Sequence, residues 1–221
     1  MRIIKIDQPM NKLLLTLILF GITVVASAQQ SIESIRKIYQ AQKKTIAEMA
    51  EDFPYDGMPP AYYNLSVVMN LPATGLHREN IRMYFGEAEQ EDQEEYDPYP
   101  KHFLTFLTTK YNFAAREFYE EYLYDLSGRV MFIYAQTPDI GDLGSMHELR
   151  LYLDGEKLLR LNVKECKDLT SFDDTGVKKA GFKDVYTGTA IPEAYQEACR
   201  MYRQKAKQYG EMFNKIDEVV Y

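Results

Sequence analysis

Two kinds of apolar periodicity divide this chain. From Ser31 to Glu51, the residues Ile32, Ile35, Ile38, Tyr39, Ile46 and Met49 recur at three- and four-residue steps, which predicts a helix with one buried face. Ser31 is placed to cap it and Pro54 to stop it. Arg36, Gln40, Lys43, Lys44 and Glu51 fall on the opposite, solvated face. The spacing predicts a second helix from about Pro192, where Tyr195, Cys199, Tyr202, Ala206, Tyr209, Phe213 and Ile216 step by four and three. Such a seam suits a helix laid across a sheet; a coiled-coil dimer is the alternative, with three tyrosines and a cysteine as unusual seam residues.

Between the helices the period changes to two. Tyr63, Leu65, Val67, Met69 and Leu71 alternate with more polar residues up to Pro72, and Ile81, Met83 and Phe85 repeat the pattern after a loop over Pro72–Asn80. His102 to Phe113 is apolar on both faces. Glu117–Asp125 and Arg129–Thr137 read as a hairpin around Asp125-Leu126-Ser127-Gly128. Val130 to Ala135 is unbroken apolar, the pattern of a central strand covered on both sides. Leu149, Leu151 and Leu153 share one strand face, and Leu159, Leu161 and Val163 share a face of the next strand. A two-residue turn would send these sets to opposite faces, so the parity predicts a three-residue loop, Leu153-Asp154-Gly155, closed by Gly155 in the left-handed region. A short strand over Phe182–Tyr186 completes the series. The fold class is therefore α+β: an N-terminal helix, an antiparallel, meander-like sheet of about six to eight strands, and a C-terminal helix packed on it. A bent sheet wrapping a helix, as in cystatin-like architectures, is one form of this; a β-barrel or sandwich with helical extensions is the alternative.

The first 28 residues follow a different logic. Arg2, Lys5 and Lys12 precede an apolar run from Leu13 to Val25, and Ala26-Ser27-Ala28 supplies small residues at a cleavage site, the layout of a secretory signal peptide. The run is short for a spanning helix and contains Thr16, Gly21 and Thr23. Met10 offers a second, more compact start. Cleavage near Ala28 leaves one domain, residues 29–221, in the periplasm or secreted, with no stable membrane insertion. It also changes the charge: loss of three basic residues and Asp7 takes the formal charge from −7 to −9. So acidic a chain repels phosphate backbones, which excludes nucleic acid as a partner. Export also makes the two cysteines, Cys166 and Cys199, a disulfide candidate beside the alternative of two buried thiols.

Catalytic patterns are incomplete. His147-Glu148 opens like a zinc-protease motif, but Leu151 stands where the second histidine belongs. Gly144-Ser145-Met146-His147 lacks the glycines of a nucleophile elbow. The acidic run from Glu87 to Asp97 does not have the spacing of a calcium loop, and no metal or cofactor is expected. Glu120 and Glu121 are adjacent on a strand, so they point to opposite faces and cannot act as a pair on one substrate. The reading that remains is an exported non-catalytic binding, inhibitory or envelope-accessory module. Its ligand would be a protein, peptide or glycan, its state a monomer or homodimer. The alternative is a small exported hydrolase using the loop Asp139–His147, with Asp142, Ser145 and His147 as candidates.

Overall fold

An eight-stranded antiparallel sheet in simple sequential order carries one helix on each face. The structure, a computed structural model, describes residues 31–52, 61–87, 101–138, 145–167 and 181–220. Helix α1 spans Ile32–Asp52, followed by β1 (Tyr62–Leu71), β2 (Gly75–Glu87), β3 (His102–Phe113), β4 (Arg116–Tyr124), β5 (Val130–Pro138), β6 (Met146–Asp154), β7 (Lys157–Cys166), β8 (Lys183–Gly188) and helix α2 (Glu193–Val220). Strands β1 and β8 are the two edges, so the sheet is open and the barrel alternative falls away. None of the helices among the described residues is long and apolar enough to cross a membrane.

The two faces follow from strand alternation. One carries Ile81, Met83, Leu107, Tyr122, Ile133, Leu149, Leu151, Leu161 and Val163, and α2 lies on it through Cys199, Tyr202, Ala206, Tyr209 and Phe213. These are the central residues of the predicted seam, spent here on the sheet. The other face carries Tyr84, Phe106, Leu123, Phe132 and Tyr152, and α1 covers it through Ile32, Ile35, Tyr39 and Ile46. Ile38, expected in that stripe, is 42 % exposed. With a helix on each face the sheet is a middle layer and does not wrap a single helix. The unbroken apolar strand β5 is central, as its sequence requires: Ile133 and Ala135 face α2 while Phe132 and Tyr134 face α1.

Local chemistry sets the ends of these elements. Ser31 and Ser34 cap α1 reciprocally, each side-chain oxygen accepting the other's backbone N–H at 3.1 Å. In the β4–β5 turn, Asp125 accepts the N–H groups of Ser127 and Arg129 at 2.9 Å. Two expectations need correction. The loop predicted over Pro72–Asn80 is a tight turn over residues 72–74, with Ala73 and Gly75 at φ of 63° and 83°, and β2 already starts at Gly75. In the β6–β7 hairpin, Asp154 pairs with Lys157, leaving a two-residue loop whose φ signs, positive at Gly155 only, are those of a type II′ turn. The parity problem is solved by a bulge: the register shifts between Tyr152 and Leu153, which sends Leu159 to the α1 face and leaves Leu161 and Val163 beside Leu151.

Each helix is also tied to the sheet by a buried carboxylate on β4. Glu120 is 1 % exposed on the α2 face and accepts hydrogen bonds from Lys205 Nζ (2.6 Å), Tyr111 Oη (2.8 Å) and Tyr122 Oη. Removing one partner of a buried ion pair costs about 3–5 kcal/mol, since the other charge is left uncompensated. Glu120→Ala is therefore expected to destabilise the fold by about 3–5 kcal/mol in urea unfolding, and a loss below about 1 kcal/mol would contradict the role given to this carboxylate.

Candidate functional site

Glu121 is the counterpart of Glu120 on the α1 face, also 1 % exposed. It accepts Lys43 Nζ at 2.5 Å, Tyr119 Oη at 2.6 Å and Tyr39 Oη. Cross-strand pairing aligns three rows around it. Leu123, Phe132 and Tyr152 form an apolar row under α1. Next comes Glu121, Tyr134 and Arg150, then Tyr119, Gln136 and Glu148. Tyr39 packs edge-on against Phe132, with ring centroids 4.8 Å apart, so the helix sits over the apolar row. The polar rows beside it form the floor of a cleft of about 710 Å³, walled by Arg36, Gln40 and Lys43 of α1. The helix face expected to be merely solvated is thus one side of this cleft.

Its hydrogen-bonding groups are mostly engaged. Tyr134 Oη donates to Glu148 at 3.0 Å, Arg150 Nη2 lies 2.7 Å from the same carboxylate, and Arg36 Nε donates to Tyr152 Oη at 3.1 Å. Arg150 and Arg36 lie over the rings of Tyr134 and Tyr152, with centroid distances of 5.5 and 5.3 Å. Gln136 is the exception. It is 7 % exposed and lines the cleft, yet its side-chain amide makes no hydrogen bond among the described residues. Its amide is not sealed from solvent, so it is free to meet a ligand in the cleft.

Burial first, and the adjacent Glu121 or Glu148 carboxylate second, push the phenols of Tyr39, Tyr119 and Tyr134 well above their ordinary range. Burial and Glu120 do the same to Tyr111, Tyr122, Tyr202 and Tyr209 on the α2 face. These phenols remain protonated donors at neutral pH and cannot serve there as bases or nucleophiles.

The residues singled out from sequence are elsewhere. Asp142 and the run 88–97 lie outside the described residues. Ser145 is buried ahead of β6, and His147 on β6 has Nε2 3.6 Å from Glu165 and its ring beside Tyr195. His147 and Glu148, adjacent on the strand, turn to opposite faces, so the zinc-motif reading has no geometry. Among the described residues no group of three His, Cys, Asp or Glu side chains is placed to hold a metal ion. The disulfide considered for Cys166 and Cys199 is not formed: both residues are buried and no bond joins them. Burial pushes the Cys199 thiol up to about 11, the Arg203 charge acting in the opposite direction. Comparison with known protein families, characterised proteins and solved structures finds no match for the chain.

A second hollow, about 490 Å³, lies beside α2 and is lined by Tyr124, Val130, Leu153 and Arg203. Arg203 Nε and Nη2 are buried with no hydrogen-bond partner among the described residues. Two N–H groups shut away from solvent without acceptors oppose folding. Arg203→Met is expected to raise the melting temperature by a few degrees, about 2–4 °C for each kcal/mol relieved; a lowered midpoint in a calorimetric scan would refute this.

The tyrosines set the alkaline limit. Their folded-state values lie above the unfolded value near 10, so above that pH the unfolded chain releases protons that the folded chain retains. Stability from this source is complete below pH 10 and falls as pH rises past it. Unfolding midpoints measured between pH 8 and 11.5 are expected to hold until about pH 10 and then drop, with ultraviolet titration showing a first set of exposed phenols and a second set released only on unfolding.

Proposed function

We propose that this chain is an exported, non-catalytic binding module whose ligand occupies the cleft between α1 and the sheet. The observation that carries this reading is the cleft itself, about 710 Å³ with a tyrosine-rich wall, into which Gln136 brings an amide that is not sealed from solvent and makes no hydrogen bond among the described residues. Aromatic faces and edges with a few convergent polar groups are the common make-up of small-ligand sites. The polar groups of the cleft are fixed by one another: Glu121 holds Lys43, Tyr39 and Tyr119, while Glu148 holds Tyr134 and Arg150. Such a site is preorganised for recognition, its phenols held in place by the carboxylates to which they donate. The export reading rests on residues 1–28, and cleavage near Ala28 would place the domain in the periplasm or outside the cell.

The test is to recover the protein from an extracytoplasmic fraction, determine its mature mass, and screen it on glycan and peptide arrays. A mature chain starting at Gln29 is expected, with a ligand signal that Gln40→Trp abolishes by filling the cleft from its exposed wall. Ligand capture indifferent to Gln40→Trp would place the site elsewhere. Turnover of a bound ligand that is lost in His147→Ala would favour an exported hydrolase.

A further inference from the structure

Cationic side chains gather at the cleft although the chain as a whole is acidic, with a formal charge of −7. Arg36, Lys43 and Arg150 line it with Glu121 as the only carboxylate in its wall among the described residues, and Glu148 stands behind Arg150. Counting Glu148, the cleft keeps one positive charge in excess. Glu121 accepts hydrogen bonds from Lys43, Tyr39 and Tyr119, and Glu148 accepts one from Tyr134, with Arg150 Nη2 2.7 Å from its other oxygen. The cations of the cleft nonetheless keep N–H groups to spare. Arg36 uses Nε on Tyr152 and forms no ion pair among the described residues, Arg150 Nε is buried without a hydrogen bond, and the Gln136 amide is unpartnered.

We propose that the cleft recognises a carboxylate, held between the guanidinium groups of Arg36 and Arg150 and the amide of Gln136. Planar guanidinium forks match a carboxylate in two-point contact, and the amide adds a neutral donor. A single excess positive charge favours a monoanion over a phosphate dianion, whose second charge would face Glu121 without compensation. The body of the ligand runs along the row beside α1, past Tyr119, Gln136 and the edge of Tyr134. A smaller hollow of about 350 Å³ continues from the cleft, sharing Lys43 and Tyr119 with it. There Lys110 is paired with Glu117, whereas Arg82 lies over the Tyr62 ring with no acidic partner among the described residues, so a longer ligand would meet a second cation. A uronic acid of a glycan and the C-terminus of a peptide both supply the required group.

This inference rests on the cleft being the ligand site, and the experiment separates the two. The mature chain would be titrated with trigalacturonate and with neutral galactotriose, and in parallel with acetyl-Gly-Phe-Gly as free acid and as amide. The Gln136 side-chain NH₂ resonances and the dissociation constants would be followed by NMR. The acids are expected to shift the Gln136 signals and to bind at least about tenfold more tightly than their neutral twins, the scale of one charge-assisted hydrogen bond. Arg36→Gln, an exposed substitution, and Arg150→Gln should each remove most of that preference. The stronger of the two acid arms identifies the source of the carboxylate. Equal binding of acid and neutral probes with Gln136 shifts overturns the carboxylate while leaving the cleft as a binding site. An acid preference that survives both arginine variants, or acid binding that leaves Gln136 unmoved, overturns the assignment to these residues. If no probe shifts Gln136 at millimolar concentration, the carboxylate proposal fails, and the Gln40→Trp array result decides separately whether the cleft binds anything else.

Discussion

The alternation of a single strand decides how both helices sit. Glu120 and Glu121 are consecutive on β4, so they must leave the sheet on opposite sides. Each is 1 % exposed, and each meets a lysine from a different helix, Lys205 of α2 and Lys43 of α1, together with two tyrosine hydroxyls. A buried carboxylate met by a lysine at the helix edge adds little net stability over an apolar residue of the same size, but it is expensive to leave without its cation. A helix that slid along the sheet or rotated by a quarter turn would leave a buried carboxylate without its cation. The apolar stripes of α1 and α2 bring the helices down; the two carboxylates select where they stop.

The cleft is a consequence of that selection. Lys43 must reach Glu121 while Ile35 and Tyr39 must reach Phe106, Leu123 and Phe132, and only a helix over the apolar row satisfies both. The neighbouring rows, with Tyr134, Arg150, Gln136 and Tyr119, are left beside the helix with no helix above them. On the other face α2 is longer, and its Lys205 reaches Glu120 and Tyr111. The same chemistry of carboxylate, lysine and tyrosine therefore fixes a helix on each face, and on the α1 side it also lines the cleft.

Much of this fold was legible because its elements are strongly periodic. The seam of α2, the double-sided strands β3 and β5, and the opposed glutamates follow from spacing alone. The start of β2 was not legible, since His77, Arg78, Glu79 and Asn80 read as loop. They form strand because β1 pairs with them and Asn112 completes their hydrogen bonds, its backbone oxygen reached by His77 and its side-chain oxygen accepting the Arg78 N–H. In the β6–β7 hairpin the parity constraint was correct and its solution was not: one extra residue resolves it equally well in the loop or as a bulge, and no side-chain pattern distinguishes the two. The cleft was least visible. Its helix-to-sheet contacts join positions 78 to 116 residues apart, as in Lys43 with Glu121 and Arg36 with Tyr152, and a helical wheel assigns Arg36 and Lys43 to solvent because it cannot show a sheet extending beyond the helix.

The abundance of tyrosine, eighteen in a chain without tryptophan, takes on a definite meaning in this setting. A phenylalanine would fill the same volume and leave the buried carboxylates short of donors. A serine would supply the donor and leave a void. Tyrosine does both, and Tyr39, Tyr119 and Tyr134 each bring a ring into the apolar layer and a hydroxyl to Glu121 or Glu148. Once their hydroxyls are spent on these carboxylates, the phenols are held protonated and rigid. What would be left in the cleft to meet a ligand is Arg36, Arg150 and Gln136, whose N–H groups are not all used within the protein. A site with more cations than carboxylates, and with guanidinium N–H groups left over, is suited to receive an anion, and that excess argues for recognition as the work of this surface.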